Sequence, residues 1–168
     1  ETPAFAGVSS FGTLLFLSNG FVELTGNPAR MSSTALSYTL VITGAPWASQ
    51  APQTALEFAR ALVQGGHRLD RIFLYGDGIH LASALATPPS DEPNWPRQWA
   101  EFLAAHQVPA VACIASALRR GLVNEAEQGR YELPASNLLA PFEIAGLGEW
   151  VEGRLKTDRT VYFHGSGT

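Results

Sequence analysis

Short β-branched or apolar runs alternate along the chain with stretches whose apolar residues recur every three or four positions. Nothing else in the sequence constrains the fold as strongly. Tyr38-Thr39-Leu40-Val41-Ile42-Thr43, Arg71–Tyr75, Pro109–Cys113, Phe142–Ile144 and Arg159–Phe163 read as strands. After the first, Ala55, Leu56, Ala59, Leu62 and Val63 share a helical face, with Pro52 in the opening turn and Gly65-Gly66 at the end. Gly76-Asp77-Gly78 closes the second strand, and a short helix is expected over Ile79–Ala86. Thr87–Pro96, with four prolines and two acids, reads as a surface loop. Asn94 then caps a helix that has Pro96 in its first turn and Trp95, Trp99, Phe102 and Leu103 as its stripe. Ile114–Arg120 forms a short helix that stops at Gly121, Asn124 with Glu127 fits a capping box, and Leu147, Trp150, Val151 and Leu155 mark the last helix. Such alternation is the signature of a mainly parallel sheet covered on both faces. In such sheets functional groups gather where strands end and helices begin.

Composition narrows the function classes. With 168 residues, 46% of them hydrophobic and 15% charged, the chain has the material for one cored domain, and disorder is excluded as its dominant state. A net charge of −4 gives no basic footprint for direct nucleic-acid binding. One cysteine excludes an internal disulfide and a multi-cysteine zinc site. No apolar run approaches the ~20 residues of a membrane helix. Residues 1–37 differ from the rest, with four phenylalanines and only Glu1, Glu23 and Arg30 charged. They read as an N-terminal extension, and Met31, the sole methionine, is the expected native start, with residues 1–30 appended. The alternative is an N-terminal arm that packs on a partner. The domain proper is expected over 38–164, followed by a tail at 165–168.

Several candidate motifs carry little. Gly76-Asp77-Gly78-Ile79-His80-Leu81 resembles the start of a dinucleotide fingerprint, but Leu81 stands where the third glycine belongs. A tight turn is the favoured reading, and a flavodoxin-like nucleotide binder the alternative. Gly165-Ser166-Gly167-Thr168 lacks the lysine of a phosphate loop, the four histidines have no metal spacing, and no G-x-S-x-G elbow is present. Cys113 is different because it ends a buried strand just where a helix begins. Backbone N–H groups at such a junction favour a thiolate, and Arg119 and Arg120 lie one to two turns away as supporting positive charges. On position alone, a small packed side chain is the commoner fate of an isolated cysteine. The arginines have an alternative too, a surface ion pair with Glu125 or Glu127. A thiol without a second cysteine must exchange sulfur with another molecule if it reacts, as a persulfide carrier does.

From Tyr38 to about His164 the chain resembles the TusD/DsrE sulfurtransferase subunit family (DsrE/DsrF-like). The most specific block is Ala112-Cys113-Ile114-Ala115-Ser116-Ala117-Leu118-Arg119-Arg120-Gly121. Val41-Ile42-Thr43-Gly44, Ser90-Asp91-Glu92, Ser136-Asn137-Leu138, Gly146-Leu147-Gly148 and Asp158-Arg159 follow the family's order. The resemblance implies a three-layer α/β/α sandwich with a five-stranded, mainly parallel sheet. It implies a cytoplasmic heterohexamer with two related subunits, TusB/TusC-like or DsrH/DsrF-like, and a persulfide on Cys113 without metal or organic cofactor. Sulfur would arrive from a TusA-like donor and leave to a TusE/DsrC-like acceptor, for 2-thiolation of the tRNA wobble uridine or, in the Dsr branch, for oxidation of stored sulfur. A non-catalytic assembly subunit with a merely packed Cys113 is the alternative. The carrier role requires a thiol that a visitor can reach.

Overall fold

The computed structural model describes residues 35–165. Residues 1–34 of the extension expected over 1–37, Met31 included, and residues 166–168 of the tail lie outside the described residues. Five strands form one sheet in the order β4-β3-β2-β1-β5, and every neighbouring pair is parallel. They are β1 (Ser37–Ile42), β2 (Arg68–Leu74), β3 (Ala110–Cys113), β4 (Glu143–Ala145) and β5 (Arg159–Phe163). The helices are α1 (Ala51–Gln64), α2 (Trp95–His106), α3 (Ile114–Arg119), α4 (Glu125–Arg130) and α5 (Gly148–Lys156). This is the expected three-layer α/β/α architecture.

Register separates the residues of the two sheet faces. Leu40, Ile72, Ala110 and Val161 align on one face, as do Ile42, Leu74, Ala112 and Phe163. This face is apolar throughout, and α1, α2 and the 3₁₀ turn Gly76–Ala82 bury it. Trp99 of α2 is fully buried there and donates from Nε1 to the Pro52 carbonyl of α1 at 3.1 Å. The other face carries Thr39, Arg71 and Thr160 at one end and Val41, Phe73, Val111 and Cys113 toward the other. Among the described elements, α5 packs on it. The β4-to-β5 connection must cross β3, β2 and β1, about 19 Å at the usual strand spacing, and α5 makes that crossing.

The packing of α5 explains a departure from the sequence reading. Leu147, Val151 and Leu155 locate the helix correctly but face solvent, at 53%, 44% and 81% exposure. Its inward face is Trp150, Gly153 and two acids. The sheet beneath is polar at this end, so a polar helix face matches it. Arg71 donates to the Glu149 carbonyl at 3.1 Å and pairs with Glu149 at 2.7 Å and Glu152 at 3.1 Å, while Asp70 takes its Nε at 3.1 Å. Burial opposes the charge on Arg71, but Asp70 and Glu152 outweigh it and raise its pKa. Lys156, then Arg71, hold the Glu152 carboxyl below the usual range. Gly153 sits where an added Cβ would lie 2.8 Å from Arg71 Cδ and 2.9 Å from Thr39 Oγ1, so only glycine lets the helix come this close.

Other caps and turns are local. Asn94 accepts from the Arg97 N–H at 3.0 Å, as expected. Asn124 accepts from the Glu127 N–H at 2.9 Å, but Glu127 turns to Arg130 at 3.6 Å, so the box is half formed. The helix expected over Ile79–Ala86 is a 3₁₀ turn that starts at Gly76 and ends at Ala82. Asn137 pins the loop after α4, accepting from Val123 N–H and donating to the Gly121 carbonyl, both at 2.8 Å.

At the opposite end of the sheet, Asp158 accepts from the Ser37 hydroxyl at 2.7 Å and from its N–H at 2.8 Å. The hydroxyl first, then the N–H, hold this carboxyl below its ordinary range. A depressed folded pKa stabilises the fold above the unfolded group's pKa, near ~3.9, and the contribution is lost as pH falls through the lower folded value. The stability gap between the wild type and Asp158→Ala in urea unfolding is therefore expected to be widest near neutral pH and to narrow below about pH 4. A gap that stays constant with pH contradicts the assignment.

Candidate functional site

Cys113 is the last residue of β3 and the N-cap of α3, at the junction expected from the sequence. Its side chain makes no capping hydrogen bond. Instead it packs on the sheet face with Val41, Phe73 and Val111, and Ala145 and Trp150 pack against the group. Cys113 is 1% exposed. Among the described residues the open access that a carrier thiol needs is therefore absent, and Trp150, carried over the sheet by the β4-to-β5 crossover, packs against the same cluster.

A cavity of about 280 Å³ lies against this group. Val41, Phe73 and Trp150 line both the cavity and the Cys113 cluster, and Leu147, Tyr75 and Tyr162 complete most of the wall. Thr43 and His164 form its polar edge, with Oγ1 and Nδ1 sharing a hydrogen bond of 3.0 Å. The cavity is thus at the strand C-termini, and it shares those three side chains with the Cys113 cluster.

The two arginines do not converge on the thiol. Arg119 is exposed at the far end of α3, about 9 Å along the axis from the N-cap. Arg120 pairs with Asp77 at 2.7 Å, rather than with Glu125 or Glu127. That pair belongs to a clasp the sequence did not show. Ser116, 3% exposed, accepts from the Gly76 N–H at 3.1 Å, so two contacts tie α3 to the turn after β2. Ser116 is the one polar residue in an otherwise apolar half-turn of α3, and its partner 40 residues away was invisible in sequence. The same bonds bear on the nucleotide alternative. Gly76 gives its N–H to Ser116 and Gly78 gives its N–H to the Thr43 and Tyr75 carbonyls, so these donors are committed within the fold, and the tight-turn reading fits.

Among the described residues no three His, Cys, Asp or Glu side chains converge as a metal site, and no helix is long and apolar enough to cross a membrane. His67 accepts from the Leu36 N–H at 3.2 Å and meets the Tyr38 ring edge-on, a structural role. Trp47 is 43% exposed and donates to the Pro93 carbonyl, while Trp95 packs on the core.

A parallel α/β/α sandwich with one cysteine at the end of its third strand defines the class. Its backbone is similar to that of a solved structure described as the ychN protein from E. coli, with a TM-score of 0.62 and 25% identity over 76% of this chain and 99% of that one. The model of the DsrE/DsrF-like family matches residues 36–163, and the chain belongs to that family. Relatives named Sulfurtransferase TusD from Salmonella typhi and Salmonella enteritidis PT4 (strain P125109) are 41% identical over 128 residues, covering 76% of this chain and all of each relative.

Proposed function

We propose that the chain carries sulfur as a persulfide on Cys113, as one station of a sulfur relay. Likeness over the full length of relatives named sulfurtransferases supports the activity: the chain is a sulfurtransferase of the DsrE/DsrF-like family. The observation that carries the assignment to a residue is the sole cysteine, set at a strand-to-helix junction beside a cavity. Sulfur transfer between proteins needs a thiol, and this chain has one.

The transfer conserves oxidation state. The Cys113 thiolate attacks the outer sulfur of a donor persulfide. A bond forms between Cys113 Sγ and that sulfur while the donor's S–S bond breaks. The donor sulfur leaves with the electron pair and takes a proton from solvent, and Cys113–S–SH remains. An acceptor thiolate then repeats the attack on the outer sulfur and frees the Cys113 thiolate. No metal or organic cofactor enters either step. A TusA-like donor, a TusE-like acceptor and tRNA wobble-uridine thiolation in the cytoplasm are the proposed setting, following the relatives' name. The proposed assembly holds two related subunits, and the outward stripe Leu147, Val151 and Leu155 is apolar surface of the kind such contacts cover. Arg119, exposed and without an ion pair among the described residues, is a candidate contact for an acidic partner.

The test is direct. Full-length protein incubated with a persulfide donor and then weighed is expected to gain one sulfur, and Cys113→Ser is expected to gain none. Equal gain in both proteins, or none in either, overturns the carrier role.

A further inference from the structure

We infer that Trp150 controls access to Cys113: the thiol reacts only while the indole has left the Cys113 cluster and turned into the adjoining cavity. This rests on the carrier role of Cys113. The thiol of a cysteine that is 1% exposed cannot be attacked where it sits, so something must move. Val41, Phe73 and Val111 stand on three adjacent hydrogen-bonded strands, and Ala145 lies on a fourth. Their backbones are fixed by the ladder hydrogen bonds of the sheet. Among the described apolar side chains packed in this cluster, Trp150 alone comes from outside the sheet, and it is only partly buried.

The surroundings allow that movement and limit it. Backbone on both sides of Trp150 is held, by Arg71 on the Glu149 carbonyl and by Gly153 against Thr39. The motion is therefore the side chain's, not an unwinding of α5. The cavity of about 280 Å³ next to the ring is room for several waters, at ~30 Å³ each, and so for an indole. Side-chain rotation of this kind is fast compared with thiol chemistry, so the observed rate is the intrinsic rate times the fraction of time the sulfur is uncovered. The consequence for transfer is selective. A visitor that places an apolar side chain against Leu147 and Tyr75 stabilises the turned-out ring and opens the sulfur to itself, whereas a freely diffusing thiol meets it covered.

The experiment is the rate at which iodoacetamide alkylates Cys113 in the full-length protein, followed by mass. Trp150→Ala is expected to react roughly tenfold faster or more than wild type, with Trp150→Phe close to wild type. A bulkier maleimide should show a larger ratio. If Trp150→Ala does not fold, judged by circular dichroism, Trp150→Leu decides, with an acceleration that is smaller but in the same direction. Equal rates in folded variant and wild type overturn the inference, as does a wild-type rate equal to that of the urea-unfolded chain. Alkylation reads access whatever the sulfur carries. Persulfide loading on Cys113 without a Trp150 effect overturns the gate alone, and a Trp150 effect without loading overturns the carrier role alone.

Discussion

Trp99→Ala is expected to remove about 3–5 kcal/mol of stability, a large part of the ~5–15 kcal/mol that holds a domain of this size. Trp99 has no exposure, and its ring meets Phe102 edge-on at 5.9 Å. Truncation leaves a cavity between α1, α2 and the sheet that strands on one side and helices on the other cannot close. It also removes the Nε1 donor that joins α2 to the first turn of α1 at the Pro52 carbonyl. Trp99→Phe keeps most of the packing and loses only that bond, so a smaller loss of roughly 1–2 kcal/mol is expected for it. Urea unfolding followed by circular dichroism measures both. A loss under about 1 kcal/mol for the alanine variant would mean that the two helices repack freely.

Gly78→Ala is the second large effect. An added Cβ would lie 2.2 Å from the Ile42 carbonyl oxygen and 2.8 Å from its carbon. Both are backbone atoms of a central strand, and that oxygen already accepts from the Tyr75 N–H at 3.0 Å. Gly78 cannot retreat either, because its own N–H is committed to the Thr43 carbonyl at 3.0 Å. Neither side can yield, so the cost is expected at the upper end of overpacking, about 3 kcal/mol or more. Gly129→Ala is the control, because nothing lies within 4 Å of the new methyl and the position is helical. It is expected to be neutral or to stabilise by up to ~1 kcal/mol. Thermal unfolding of the two variants side by side tests the contrast, and similar midpoints would contradict it.

Where a signal was local, the sequence could be read closely. Arg159–Phe163 forms a strand residue for residue, and Asn94 caps α2 as its position predicts. β2 begins earlier than its apolar run, at Arg68, because pairing with Ser37 and Tyr38 recruits charged residues that propensity alone would leave in a loop. α5 shows the limit of periodicity: Leu147, Val151 and Leu155 reveal a helix, but which side is buried depends on Arg71 and Thr39, far away in sequence. The site divides the same way. The strand-to-helix place of Cys113 was legible from four apolar residues and a helix start. Its surroundings were not, since Trp150 reaches the cluster only through a crossover that spans three strands. Arg120 found Asp77 instead of a neighbouring glutamate for the same reason.

The partner of β1 on its outer side is β5, although 116 residues separate the end of one from the start of the other. During synthesis β1 leaves the ribosome early and waits as an open edge until Arg159–Phe163 emerge. A nascent chain arrested before that point would expose the Tyr38–Ile42 backbone to any other strand, the situation that seeds aggregation. Growth at reduced temperature or with abundant chaperone should therefore raise the yield of folded protein more than it would for a sheet whose neighbours are made in order.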